Sequence, residues 1–115
     1  MKYKLGEKHK DYELYRVIYL RDIPRHGVKK GDIGGWIEHE GNLSQNGDCV
    51  VLDEAWVSGN AQVFDNAQVS GNARVSGSVW VGSKAKIGGN MALCEDRYYS
   101  EAPTLLSQII ERSRA

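Results

Sequence analysis

An aliphatic residue returns every six positions from Val51 to Leu93, through Val57, Val63, Val69, Val75, Val81 and Ile87. A second register lies four residues after each of these and reads Ala55, Ala61, Ala67, Ala73, Val79, Ala85 and Met91, nearly all small. A fixed period of this kind limits the fold more than composition does. A helix repeats its apolar side at spacings of three and four, so a strict six does not hold one helical side. In a strand, residues two apart share a side. The small residue and the aliphatic one two positions later therefore both face inward. The residues between, such as Ser58-Gly59-Asn60, carry turn chemistry, since Asn and Gly accept left-handed backbone. Short flat strands meeting at regular corners wind into a coil.

The run resembles the hexapeptide-repeat family, in which three hexapeptides make one triangular turn of a left-handed parallel β-helix. The left hand is what the resemblance implies; the general crossover rule would give the right. At three hexapeptides per turn, residues 51–93 make a little over two turns, with rungs about 4.8 Å apart. The expectation is a mainly β chain: a short left-handed parallel β-helix of about two to three turns, with an N-terminal β cap and a C-terminal α-helix.

Caps are needed because a parallel coil ends in open strand edges. Tyr12 to Ile23 alternates and is rich in Tyr, Val and Ile, which predicts a strand of a small sheet. A turn over Pro24–Asp32 follows, and Ile33–Ile37 leads toward the coil. The GDIGGW run at Gly31–Trp36, followed by Asn42-Leu43-Ser44, resembles the lead-in of hexapeptide-repeat proteins common in phages, prophages and enterobacteria. At the other end Pro103 suits a first helical position, Leu105, Leu106, Ile109 and Ile110 form an apolar stripe, and Arg112 and Arg114 suit a last turn. A helix that short must dock, either over the last turn of its own coil or on a neighbouring subunit. One domain is expected over the 115 residues, with a cap over 1–42, the coil over 43–94 and the helix over 102–114.

The formal net charge is zero, from 15 Lys and Arg against 15 Asp and Glu. No segment is a basic arm, which argues against nucleic acid and anionic membrane as partners. Cys49 and Cys94 are far apart, too few for a disulfide scaffold and wrongly spaced for zinc. The N-terminus lacks an apolar leader, and no stretch approaches a membrane span. The reading is a soluble cytoplasmic protein with no cofactor.

Acyltransferases of the resembled family place a catalytic histidine near the coil and bind coenzyme A between subunits. Here His9, His26 and His39 all precede the repeat, and no spacing inside it departs from six to let a loop out. His39, between Glu38 and Glu40, is the candidate base nearest the coil, but it reads as a surface histidine, and no residue is taken as catalytic. Carbonic anhydrases of this fold use three zinc-binding histidines, and nothing here has that spacing. Asp53 and Glu54 are adjacent, and neighbours in a strand point to opposite sides.

What remains is the outer surface. The last position of each hexapeptide reads Trp56, Gln62, Gln68, Arg74, Trp80 and Lys86, and Phe64 also falls outward. Residues eighteen apart stack on one face, so Trp56 lies beneath Arg74, Gln62 beneath Trp80 and Gln68 beneath Lys86. Trp and Arg are enriched at binding hot spots, and outward aromatics need a partner or a cap to cover them. Trp56, Phe64, Arg74, Trp80 and Lys86 are therefore the candidate binding residues, and Arg74 over Trp56 also reads as plain cation–π packing. The leading reading is a non-catalytic binding protein, an accessory of a phage or mobile element that binds and inhibits a host defence protein. The alternatives are an acyl-coenzyme A-dependent enzyme with a site between subunits, and a sponge for a small nucleotide. A homo-oligomer, trimer or dimer, is expected.

Overall fold

The computed structural model describes residues 1–94 and 97–100, and within them the chain is a β-solenoid of about three turns on an antiparallel β region. The strands are β1 (Tyr3–Lys8), β2 (Tyr15–Tyr19), β3 (Ile33–Ile37), β4 (Val50–Val51), β5 (Trp56–Val57), β6 (Gln62–Val63), β7 (Gln68–Val69), β8 (Arg74–Val75), β9 (Trp80–Val81), β10 (Lys86–Ile87), β11 (Ala92–Leu93) and β12 (Tyr98–Tyr99). Among the described residues the helical pieces are two 3-10 turns, Pro24–His26 and Glu40–Asn42. The helix expected over 102–114 lies outside the described residues.

Three parallel ladders make the walls. One continues the antiparallel pair and runs β1-β2-β3-β5-β8-β11; we call it the cap face. The second, β6-β9-β12, is the aromatic face, and the third face is β4-β7-β10. Partners are eighteen apart, as in Val57 against Val75 and Val63 against Val81. The aliphatic column is the core: from Val51 to Ile87 every member is at most 1% exposed, and Leu93 is 7%. The alanines of the second register are fully buried beside it. Side chains this small let the corners close, and valine fills the middle. The corner residues Asp53 and Asp65 take positive φ, 59° and 56°. Asp is among the few residues that enter left-handed backbone, and here the two carboxylates accept the N–H of Gly71 and of Ser83 at 2.9 and 3.0 Å, tying each corner to the rung above.

The parallel stacking starts before the repeat is visible in sequence. Trp36 and Ile37 of β3 pair with Trp56 and Val57, and Leu43 bridges Val63, at a separation of twenty rather than eighteen. The two extra residues are Gln45 and Asn46. Gln45 uses the excursion to bind β1: its Oε1 accepts from the backbone N–H of Lys2 (2.9 Å) and Tyr3 (3.2 Å), and its Nε2 donates to the Tyr3 carbonyl (3.1 Å). The expected strand over Tyr12–Ile23 is shorter, Tyr15–Tyr19, because the chain turns off at Leu20 to form the loop before Pro24.

The N-terminal hairpin closes the lower edge of the first rung with side chains. The Tyr19 hydroxyl donates to the Val51 carbonyl (2.8 Å) and accepts from the Val51 N–H (2.9 Å), while the Tyr3 hydroxyl donates to the Leu43 carbonyl (2.6 Å). Lys2 Nζ donates to the Cys49 carbonyl at 2.7 Å and lies 3.0 Å from Cys49 Sγ. Burial holds the Lys2 amine below its ordinary pKa and pushes the Cys49 thiol and the Tyr3 and Tyr19 phenols above theirs.

Candidate functional site

The five candidate residues do not form one patch. Trp56 and Arg74 stand on the cap face, Phe64 and Trp80 on the aromatic face, and Lys86 is exposed on the third face.

On the cap face the outward column runs Arg16, Trp36, Trp56, Arg74 in direct register. The Arg16 guanidinium sits 4.2 Å from the Trp36 ring centroid, and that of Arg74 sits 4.3 Å from the Trp56 ring. The Glu54 carboxylate accepts from Arg16 Nη2 (2.7 Å) and from Trp36 Nε1 (3.1 Å), and these two bonds hold its pKa below the usual carboxylate range. The N-terminal segment then folds over the column. His9 meets Trp36 edge-on at 4.7 Å, and Tyr12 leans on Trp56 at 4.8 Å. Trp56 is half-buried as a result. Its outward direction follows from the repeat; its cover comes from residues with no repeat to announce them.

The aromatic face has no such cover among the described residues. Phe64 meets Trp80 edge-on with centroids 6.2 Å apart, and stacks with Tyr98 at 5.9 Å and 11°. Trp80 and Tyr98 are each 49% exposed. Gly82 makes the grouping possible, since a Cβ there would fall 2.5 Å from the Phe64 ring. The Tyr98 hydroxyl is 3.1 Å from Ser83 Oγ, which ties the tyrosine to the corner. Tyr98 escaped the sequence reading, although its signal was present. Counting six on from Leu93 reaches Tyr99, which places Tyr98 outward, eighteen after Trp80.

The three histidines are engaged in the architecture. His39 Nδ1 accepts the Gly41 N–H at 3.0 Å, so Nε2 is the donor to the Gly59 carbonyl at 2.9 Å. His26 contacts the Asn66 carbonyl and the Gln68 amide, both at 3.0 Å, and so fastens the Pro24–His26 turn to the third face. His9 packs among Tyr12, Trp36 and Trp56 and accepts the Asp11 N–H. Among the described residues no cluster of His, Cys, Asp or Glu has the arrangement of a metal centre, and no helix is long and apolar enough to cross a membrane.

No protein-family model matches the chain, and no curated protein or solved structure matches it. Its kind is given by the coil itself, a β-solenoid with parallel walls.

Proposed function

We propose that this chain is a non-catalytic binding protein that presents Phe64, Trp80 and Tyr98 to a protein partner. The observation that carries the reading is the pair of half-exposed rings, Trp80 and Tyr98, each in contact with Phe64 on one flat wall. Trp and Tyr supply large contact area at little entropic cost and are enriched at the centres of interfaces. Engagement of all three imidazoles in the fold weighs against an acyltransferase base. Membership of the left-handed hexapeptide-repeat family, a phage or mobile-element setting, a host defence protein as target and assembly as a trimer or dimer are parts of the same proposal. They are supported by the repeat and by the Gly31–Trp36 motif.

The test is capture from an enterobacterial lysate with the tagged wild type and with a Trp80→Ala/Tyr98→Ala variant, circular dichroism confirming that both fold. The expected result is a stoichiometric protein retained by the wild type and lost by the variant. Retention by the variant, or acetyl-coenzyme A turnover that disappears when His9, His26 and His39 are replaced, would overturn it.

A further inference from the structure

We infer that the cleft between the N-terminal segment and the coil corner at Gly59 is a binding site for an organic cation, an alkylammonium or guanidinium group. The cleft is about 230 Å³ and is lined by Tyr12, Glu13 and Leu14 of the N-terminal segment, Glu38, Trp56, and Ser58 and Gly59 at the corner. Two aromatic rings and two carboxylates meet there, and no Lys or Arg is among its described lining residues. Ring faces attract cations through their quadrupole, and a carboxylate adds direct attraction.

The Trp56 ring already carries the Arg74 guanidinium 4.3 Å from its centroid, so Tyr12 is the ring that offers its surface to an incoming cation, with Trp56 behind it. Tyr12 meets Trp56 at 57° rather than flat, so the two rings form an angled wall, and Tyr12 is 52% exposed to an incoming group. Glu38 is held in place, because its Oε1 accepts the Gly59 N–H at 2.7 Å. Glu13 pairs with Lys8 at 3.3 Å, but both side chains are exposed, and such pairs are weak and screened. A pair that weak leaves the Glu13 charge in place, so both carboxylates make the cleft negative, and Glu38 is the one held in position. An anion is disfavoured by both carboxylates, and a neutral apolar group gains nothing from them. The volume lies below that of a typical drug-sized pocket; it suits a trimethylammonium head or the end of an arginine side chain.

The site is separate from the aromatic face, so each can fail alone. Choline, its uncharged carbon analogue bearing a tert-butyl group, and arginine amide are titrated against the full chain. The indole N–H resonance of Trp56, assigned with Trp56→Phe, is the readout. A cation should move that resonance, and the neutral analogue should bind about tenfold more weakly. Glu38→Gln keeps an oxygen for Gly59 and removes the charge, so it should weaken cation binding about five- to tenfold, and Tyr12→Ala should do the same. Trp80→Ala should leave it unchanged. Saturation by choline but not arginine amide assigns the site to a free quaternary ammonium, and the reverse assigns it to a guanidinium side chain of a protein partner. Equal binding of the neutral analogue, full affinity in Glu38→Gln, or an unmoved Trp56 resonance with every cation would overturn the inference.

Discussion

Trp56 and Trp80 hold the same place in the repeat, each directed outward one residue before an inward valine. On the cap face Trp56 lies between Trp36 and Arg74 and is covered from the side by Tyr12. On the aromatic face Trp80 keeps 49% of its surface in water, with the edge of Phe64 as its ring neighbour. Direction is thus set by a residue's place within six, and exposure by which part of the chain lies over that wall. A tryptophan covered by the cap and one left half-exposed among the described residues cannot be told apart by position in the repeat.

Both walls depend on the inward column, and the largest effect should come from there. Val69→Asp places a charge among fully buried side chains. That costs several kcal/mol against a total stability of about 5–15 kcal/mol, so the variant should fail to fold. Ser70→Asp, one residue on and partly exposed, should keep the wild-type circular dichroism. A cooperative, wild-type melt of Val69→Asp would show that the walls do not share this core.

The two faces should then separate under matched truncation. Trp36→Ala removes a ring that is 9% exposed and packed by His9 and Arg16, for a loss of about 3 kcal/mol. Trp80→Ala should cost about 1 kcal/mol or less, as surface changes do. Equal losses in urea denaturation would erase the distinction between a structural and a free tryptophan.

The junction of cap and coil should give a pH signature. Tyr3, Tyr19 and Cys49 have folded pKa values raised by burial. The unfolded chain therefore releases these protons first, and the stability they lend is present below the ordinary thiol and phenol values, near 9 and 10, and is lost above them. Lys2 is lowered instead, and works the other way below its ordinary value of 10.5. Three groups oppose one, so stability should fall as pH rises past about 9. Tyr19→Phe should shrink that fall and, by leaving both polar groups of Val51 unpartnered, cost about 1–3 kcal/mol at neutral pH. A melting temperature flat from neutral to strongly alkaline pH would contradict the closed junction.

Glu54 on the cap face should give the smallest effect. Its lowered pKa comes first from Arg16 and next from Trp36, so its contribution is present above the ordinary carboxylate value and is lost as pH falls below it. The side chain is 60% exposed, and screening limits the change to about 0.5 kcal/mol. Glu54→Gln should show little further loss on acidification. An acid response identical to wild type would mean that the Arg16–Glu54–Trp36 contacts hold nothing together.

The coil was legible in the sequence because its cause is local and repeated. Each Val and each Ala of the column marks the same inward direction, and the structure buries them in that register. The cap was less legible. Tyr3, the one buried member of β1, and Lys2 just before it find their partners at Leu43 and Cys49, more than thirty residues away. The Gln45–Asn46 excursion hid the first rung by breaking the count between Leu43 and Val51. The candidate site was half legible for the same reason. Phe64 and Trp80 follow from the six-residue frame, whereas the cover that Tyr12 and His9 give Trp56 is a meeting of distant segments.

Eighteen residues advance the chain by one rung and return it to the same wall, which makes rungs interchangeable lengths of backbone. Excising residues 64–81 would join Val63 to Gly82 and leave every later aliphatic residue in frame. The shortened coil would set Tyr98 directly on Gln62, with Phe64 and Trp80 both gone. The height of the coil and the content of its aromatic face are thus written in whole rungs, and a chain of this kind can lengthen, shorten or exchange the side chains it displays without redesigning the wall that carries them.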